Sequence, residues 1–341
     1  MMTKWTWRLS ASGLIVLIAA LFPLWSPQTG FTAAEKLPIR IAWQPAEEMR
    51  FYAAKELGLF EREGLAPEYA KFAAGPPMFA AFTAGSVDVG YMWMAPAVIG
   101  LAQGIKWKYV MIEGDGPETE GLVVRKDSGI AGLRELKGKT IAVTKGTSAD
   151  FAFFRLLNKV GLREDEVKIL NVVPTNVAPA FRNNDIQGAY IWEPWMTKLV
   201  NEGGRVLATD KDADLGGTGL WLAREAWLEK NPEAALRFIA ALDAATQALA
   251  NDRQPAVKAM VEALAITSNE AASIYERTYL PTFTEQLDPK SPFALVPGSK
   301  LARDLKEMGE FLHKRGRITA IPNTDAALEP SLLKRYVERR K

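Results

Sequence analysis

Two similar α/β lobes facing one shared cleft account for three features of this 341-residue chain. Short apolar strands alternate with amphipathic helices, the pattern of mainly parallel sheets flanked by helices. Val87–Pro96 and Asn184–Trp195 share a design of Tyr, one apolar residue, Trp and then Pro, and Tyr91–Tyr190 and Trp93–Trp192 are both 99 residues apart. A similar offset relates Ile39–Trp43 to Thr140–Thr144. Two unrelated buried strands that each carry Trp would explain the second feature alone.

Composition narrows the chemistry. An apolar content of 48% with 24% charged residues belongs to a folded globular chain, long enough for two domains. Cysteine is absent, which removes disulfides, thiolate nucleophiles and cysteine zinc sites. The single histidine, His313, falls inside an amphipathic pattern, so histidine acid–base chemistry and most transition-metal sites are set aside. Residues 1–34 read as a signal peptide: Lys4 and Arg8, the apolar run Leu14–Leu24, then small residues at Thr32-Ala33-Ala34. A membrane anchor is the alternative, although the run is short and holds Pro23. Removing that segment takes away two of 42 basic residues and none of the 40 acidic ones. The remainder is neutral and gives no footprint for nucleic acid.

In chain order, Leu37–Trp43 reads as a buried strand, followed by a helix on which Phe51, Ala54 and Leu57 share a face. Ala66–Phe72 is a second strand, and Met78, Phe79 and Phe82 mark a short helix ending at Gly85. After the Tyr91–Trp93 strand come a helix over Ala97–Gln103 and a strand over Trp107–Ile112. Glu113–Glu120 is polar and glycine-rich, hence a loop. Gly121–Lys126 is assigned to the crossing between lobes and Gly219–Arg224 to the return, which makes both hinges.

In the second half, Thr140–Val143 is a strand and Phe151, Phe154 and Leu157 face inward from a helix. Thr147 and Ser148 stand at that helix start, where free N–H groups either attract an anion or are simply capped. The spacing is not that of a phosphate-binding P-loop. The strand around Ile186–Ile191 ends in Trp192-Glu193-Pro194-Trp195, and Pro194 stops the ladder. Indoles beside a carboxylate at a strand's C-terminal edge suit a small ligand. Beyond Arg224 the pattern is helical: Asn231-Pro232 and Gln254-Pro255 are starts, Thr267 and Glu270 form a capping box, and Leu301, Leu305, Met308 and Leu312 line one face. These helices are expected to pack on the first lobe, with only a surface tail from Asp325.

Gly138–Val143 before Gly146-Thr147-Ser148, Asp185–Trp195 and Asn231-Pro232-Glu233 together resemble the taurine/nitrate/sulfonate solute-binding proteins of ABC importers, the taurine branch most. The likeness runs from Leu37 through Pro232. It implies a type II periplasmic-binding fold of two lobes joined by two crossover strands, with residues 35–121 and 221–341 in one lobe and 122–220 in the other. It further implies a monomer in the periplasm that delivers a small solute to a membrane permease and its ATPase, with no cofactor. The matching positions are Trp43, Gln44 and Glu48 in the first loop, Glu120 before the crossing strand, Thr147 and Ser148 at the acidic head group, and Trp192 and Glu193 at the second cleft edge. Met92-Trp93-Met94 departs from the small and hydroxyl residues of taurine binders, and Gln187 stands where an acidic residue is common.

The residues themselves suggest a zwitterion or amine. The carboxylates Glu48, Glu120, Asp150 and Glu193 with the indoles Trp43, Trp93, Trp192 and Trp195 offer charge-assisted hydrogen bonds and cation–π contact. Met94 and Trp93 are alternatively the wall of a larger pocket, and Met92 is read as core by alternation. Glu47 and Glu118 are read as solvated surface groups or partners for Arg50, Arg125 or Arg182. The rival reading is an enzyme on the same fold acting on a small organic acid or pyrimidine-type compound, against which stand one histidine and no visible nucleophile–base pair.

Overall fold

The computed structural model describes residues 36–340, so the signal-peptide reading of 1–34 lies outside the described residues. Ten strands make two five-stranded sheets. Four strands precede the first crossing: β1 (Leu37–Trp43), β2 (Leu65–Lys71), β3 (Val89–Trp93) and β4 (Trp107–Asp115). The next five are β5 (Glu120–Arg125), β6 (Thr140–Val143), β7 (Lys168–Asn171), β8 (Gly188–Trp192) and β9 (Gly204–Thr209). Last comes β10 (Thr218–Arg224), which returns to the first sheet.

The sheet orders are β2-β1-β3-β10-β4 and β7-β6-β8-β5-β9, and they match place for place. In each, four strands share one direction and the crossing strand runs antiparallel to both of its neighbours. Each sheet is therefore mixed. The repeated Tyr-x-Trp motif thus marks the same position twice, since β3 and β8 are both central and both end at Trp. All five residues of each are buried, so neither shows the alternation of a half-exposed strand. The two crossings run close together: a Cβ on Gly217 would sit 2.3 Å from the Gly116 carbonyl carbon, so a side chain there would push the connections apart.

Helices after β10 extend to Arg339. Pro232–Asn251 and Gln254–Leu264 pack against Met49–Glu56, placing them on the first lobe. Pro232 opens its helix, and Thr267 and Glu270 close a capping box, with Glu270 N donating to Thr267 Oγ1 at 3.3 Å. Among the described residues no helix is long and apolar enough to cross a membrane.

Four expectations change. β4 runs through Glu113 to Asp115, which leaves Gly116–Thr119 as the loop. A carboxylate is tolerated inside that strand because Glu113 accepts from Arg50 N at 2.7 Å and from Trp221 Nε1 at 2.7 Å. The helix placed at Ala97 starts at Met94, because Pro96 fits a first turn. The tail after Asp325 holds the helix Pro330–Arg339, which buries Leu332 and Leu333; its two apolar anchors are masked by surrounding charge. The helices Pro174–Arg182 and Trp195–Asn201 carry too short an apolar pattern to be expected.

Candidate functional site

β3 and β8 bring their C-terminal tryptophans to one gap between the lobes. Gln44, Gly75, Trp93 and Pro96 line it from the first lobe, and Thr147, Ser148 and Trp192 from the second. Trp192 Nε1 donates across the gap to Pro45 O at 3.1 Å. Nearby, Thr119 Oγ1 donates to Glu47 Oε1 at 3.1 Å, and Arg277 pairs with Glu193 at 2.7 Å. The gap is nearly shut: its cavity is about 10 Å³, the room of one water molecule. A solute enters only if the lobes part.

Five sequence candidates therefore meet at one cavity: Gln44, Trp93, Thr147, Ser148 and Trp192. Glu48 and Glu120 lie behind its wall, fully buried. Glu48 Oε1 accepts from Gln44 N at 3.0 Å and so fixes the loop that carries Gln44. Glu120 opens β5 opposite Trp192.

The other candidates go elsewhere. Trp43 lines a separate hollow, with Lys71 Nζ 4.9 Å and Lys55 Nζ 5.4 Å from its ring. Met94 lines another hollow, with Phe151, Phe311 and Lys300. Asp150 accepts from Gly146 N at 3.1 Å and pairs with Arg317 at 3.5 Å, beside a hollow of about 260 Å³. Glu193 accepts from Thr197 N at 3.0 Å and from Thr197 Oγ1 at 2.8 Å besides its pair with Arg277, so its carboxylate serves the next helix and the interlobe bridge.

Glu118 is half-exposed and pairs with Lys211 at 2.7 Å, a solvated group as read. Glu47 is the correction: read as a solvated group or an arginine partner, it is 3% exposed and accepts from Thr119 Oγ1 instead. Asp210, which sequence reasoning passed over, is also buried and accepts from Tyr190 Oη at 2.8 Å. No local signal separates Glu47 from Glu118, since both sit in polar loops.

Burial dominates the electrostatics. It pushes the Glu47 carboxyl up to about 8, against the pull of Thr119, with Glu193 and Asp210 adding repulsion. Burial likewise holds Glu48, Glu120 and Asp210 well above the carboxylate range, and the charges acting most on Glu48 and Glu120 are other carboxylates. Folded pKa values above unfolded ones mean that the native state binds the extra protons. Stability from Glu47 is then fully present below its unfolded pKa and declines as pH rises toward 8. The ligand-free protein is expected to melt at a higher temperature at pH 5.5 than at pH 8.5. Scanning calorimetry across that range checks it, and a Glu47→Gln variant should flatten the slope.

Comparison with known proteins follows the same lines. A model described as the NMT1-like family matches residues 32–265. The chain is 32% identical to an aliphatic sulfonates-binding protein of Bacillus subtilis, over 67% of this chain and 70% of that one. It is 23% identical to the taurine-binding periplasmic protein of Escherichia coli, over 85% and 90%. In fold it resembles the alkanesulfonate-binding protein of Xanthomonas axonopodis pv. citri solved with MOPS, at a TM-score of 0.73 and 24% identity over 86% of this chain and 99% of that one.

Proposed function

This chain belongs to the NMT1-like family, and we propose that within it the protein is the extracytoplasmic solute-binding component of an ABC importer. The carrying observation is the small cavity walled by Trp93 from one lobe and Trp192 from the other, with Trp192 bonded across to Pro45. Such a cleft opens by hinge motion at the paired crossings β5 and β10, admits a small organic solute, and closes on it. Lobe one then comprises 35–121 and 221–341, and lobe two 122–220. The relatives are named for sulfonates and taurine, and the solute here is of that size, zwitterionic or amine-bearing. Export by residues 1–34, monomeric action in the periplasm and hand-over to a permease and ATPase complete the reading.

Binding rather than catalysis fits the cavity wall. The Thr147 hydroxyl donates to Thr144 O at 2.7 Å, and His313 lies in the distant helix Lys300–Lys314, bonded to Ile318 O at 3.2 Å. The test is a solute panel of amines, taurine, alkanesulfonates and nitrate, read by thermal melting and tryptophan fluorescence. A ligand raises the melting temperature as RT ln(1 + [L]/Kd) and shifts emission as Trp93 and Trp192 change surroundings. Turnover of a bound compound would overturn the reading, as would a folded chain that responds to none.

A further inference from the structure

We infer that Phe311, with Arg315 and Arg317 beside it, is a latch outside the cleft that holds the two lobes together; this rests on the hinged-lobe part of the reading above. Entry and release both need the lobes to part, because the cavity has room for one water molecule. A contact between the lobes therefore acts on the solute without touching it.

The latch grows from a helix of the first lobe. Lys300–Lys314 buries Leu301, Leu305, Met308 and Leu312 on one face and packs on Met94–Ala102, the helix after β3. The seam is close, since a Cβ on Gly309 would lie 3.7 Å from Val98 Cγ1. Phe311 stands one position off that face, so helical spacing turns it aside. There it meets Phe151 edge-on, with ring centres 4.5 Å apart, and Phe154 at 5.0 Å. Both belong to the second-lobe helix Ser148–Lys159, which packs on β5, β6 and β8. Phe153 of that helix faces the sheet and meets the Tyr190 ring at 6.0 Å. The helix is thus apolar on two sides, and Phe311 covers the second. One turn on, Arg315 Cζ lies 3.4 Å from the Phe154 ring centre. Arg315 pairs with Glu164 at 3.3 Å, and Arg317 with Asp150 at 3.5 Å and Glu164 at 3.6 Å.

Other contacts also join the C-terminal helices to the second lobe, and they are polar. Lys198 Nζ donates to Leu264 O at 3.0 Å, Asn201 Nδ2 donates to Glu270 Oε1 at 2.6 Å, and Arg277 pairs with Glu193. Hydrogen bonds of this kind exchange for water at little net cost when the lobes part. An ion pair regains hydration as it loses its partner. The pairs of Arg315 and Arg317 with Glu164 join side chains about a third exposed, where solvent already screens them. Apolar faces have no such exchange. Opening returns Phe151, Phe154 and Phe311 to water, which is disfavoured in proportion to the area uncovered. The aromatic trio therefore dominates, and Phe311 is its member from the first lobe.

The experiment uses the absence of cysteine. Glu68→Cys on β2 and Lys168→Cys on β7, exposed sites on edge strands of the two sheets, put one spin label on each lobe. Double electron–electron resonance then reads the distance between them with no solute added. Phe311→Ala is expected to raise the population at a second distance, that of parted lobes, at least about tenfold, the effect of removing one buried aromatic cover. Arg315→Gln combined with Arg317→Gln should raise it less. An unchanged distribution in Phe311→Ala, in a chain that melts cooperatively, would overturn the latch. A larger shift in the arginine variant would overturn Phe311 as its centre. If Phe311→Ala does not melt cooperatively, Phe311→Leu decides instead: it keeps part of the cover and should open partway, and an unchanged distribution there overturns the latch. The solute panel stays an independent test. Lobes that part in Phe311→Ala while the panel finds no ligand would keep the latch and remove the solute-binding reading; a bound panel compound with an unchanged distribution would do the reverse.

Discussion

Replacing Trp192 with alanine is expected to weaken solute binding by about 100-fold or more, the effect of removing a buried aromatic anchor at a desolvated centre. Two losses combine. The indole is one wall of the cavity, and its N–H is a direct clasp between lobes through Pro45. The ligand then faces a wider, wetter gap, and the closed form loses a bond that the open form does not make. Because Trp192 ends β8 at the cleft edge, the sheet beneath it keeps its packing, and the melting temperature of the ligand-free chain should fall only slightly. Trp43→Ala is the control. That indole lies outside the cleft under Lys55 and Lys71, so affinity should change by less than about twofold. Titration calorimetry on both variants checks the pair; equal losses would move the binding site out of this gap.

Arg50→Met is expected to cost about 3–5 kcal/mol of stability, the price of leaving a buried charge network without one partner. Set against a total of roughly 5–15 kcal/mol for a folded protein, that is a large share. Arg50 is fully buried in the helix Met49–Glu56 and holds three parts of the first lobe together. Its Nε donates to Thr246 Oγ1 at 2.6 Å, its Nη2 to Pro281 O at 2.6 Å, and its Nη1 to Glu113 O. Without the guanidinium, the Glu113 carboxylate loses the nearest opposing charge and three acceptors lose donors. Burial pushes the Glu113 carboxyl up and Arg50 draws it down, so the variant should also gain stability as pH falls and Glu113 takes a proton. Urea denaturation measures the loss. Adding Glu113→Gln should recover part of it, because the pair is coupled.

Much of the architecture is legible along the chain. Alternating strands and helices, the repeated Tyr-x-Trp at a constant offset and the two crossing strands are local patterns, and local patterns fix element type. They place β3 and β8 in equivalent positions because the same covering layers demand the same apolar run. Glu113 and the helix after Asp325 were misread for the opposite reason. Each depends on a distant partner, Arg50 in one case and the packing of Leu332 and Leu333 in the other.

The candidate site divides in the same way. Gln44, Trp93, Thr147, Ser148 and Trp192 follow from strand ends and a helix start, which the chain specifies nearby. Which carboxylates lie inside does not follow. Glu47 and Glu118 occupy similar polar loops, yet one is sealed against Thr119 while the other meets Lys211 in water. Trp43 and Trp93 both end central strands of one sheet, yet only Trp93 reaches the gap. The sequence alone determined the two-lobed α/β design and the tips of its strands. Only the tertiary structure decided which acids are buried and which donors are already used, because burial is set by whatever distant parts of the chain pack over a residue.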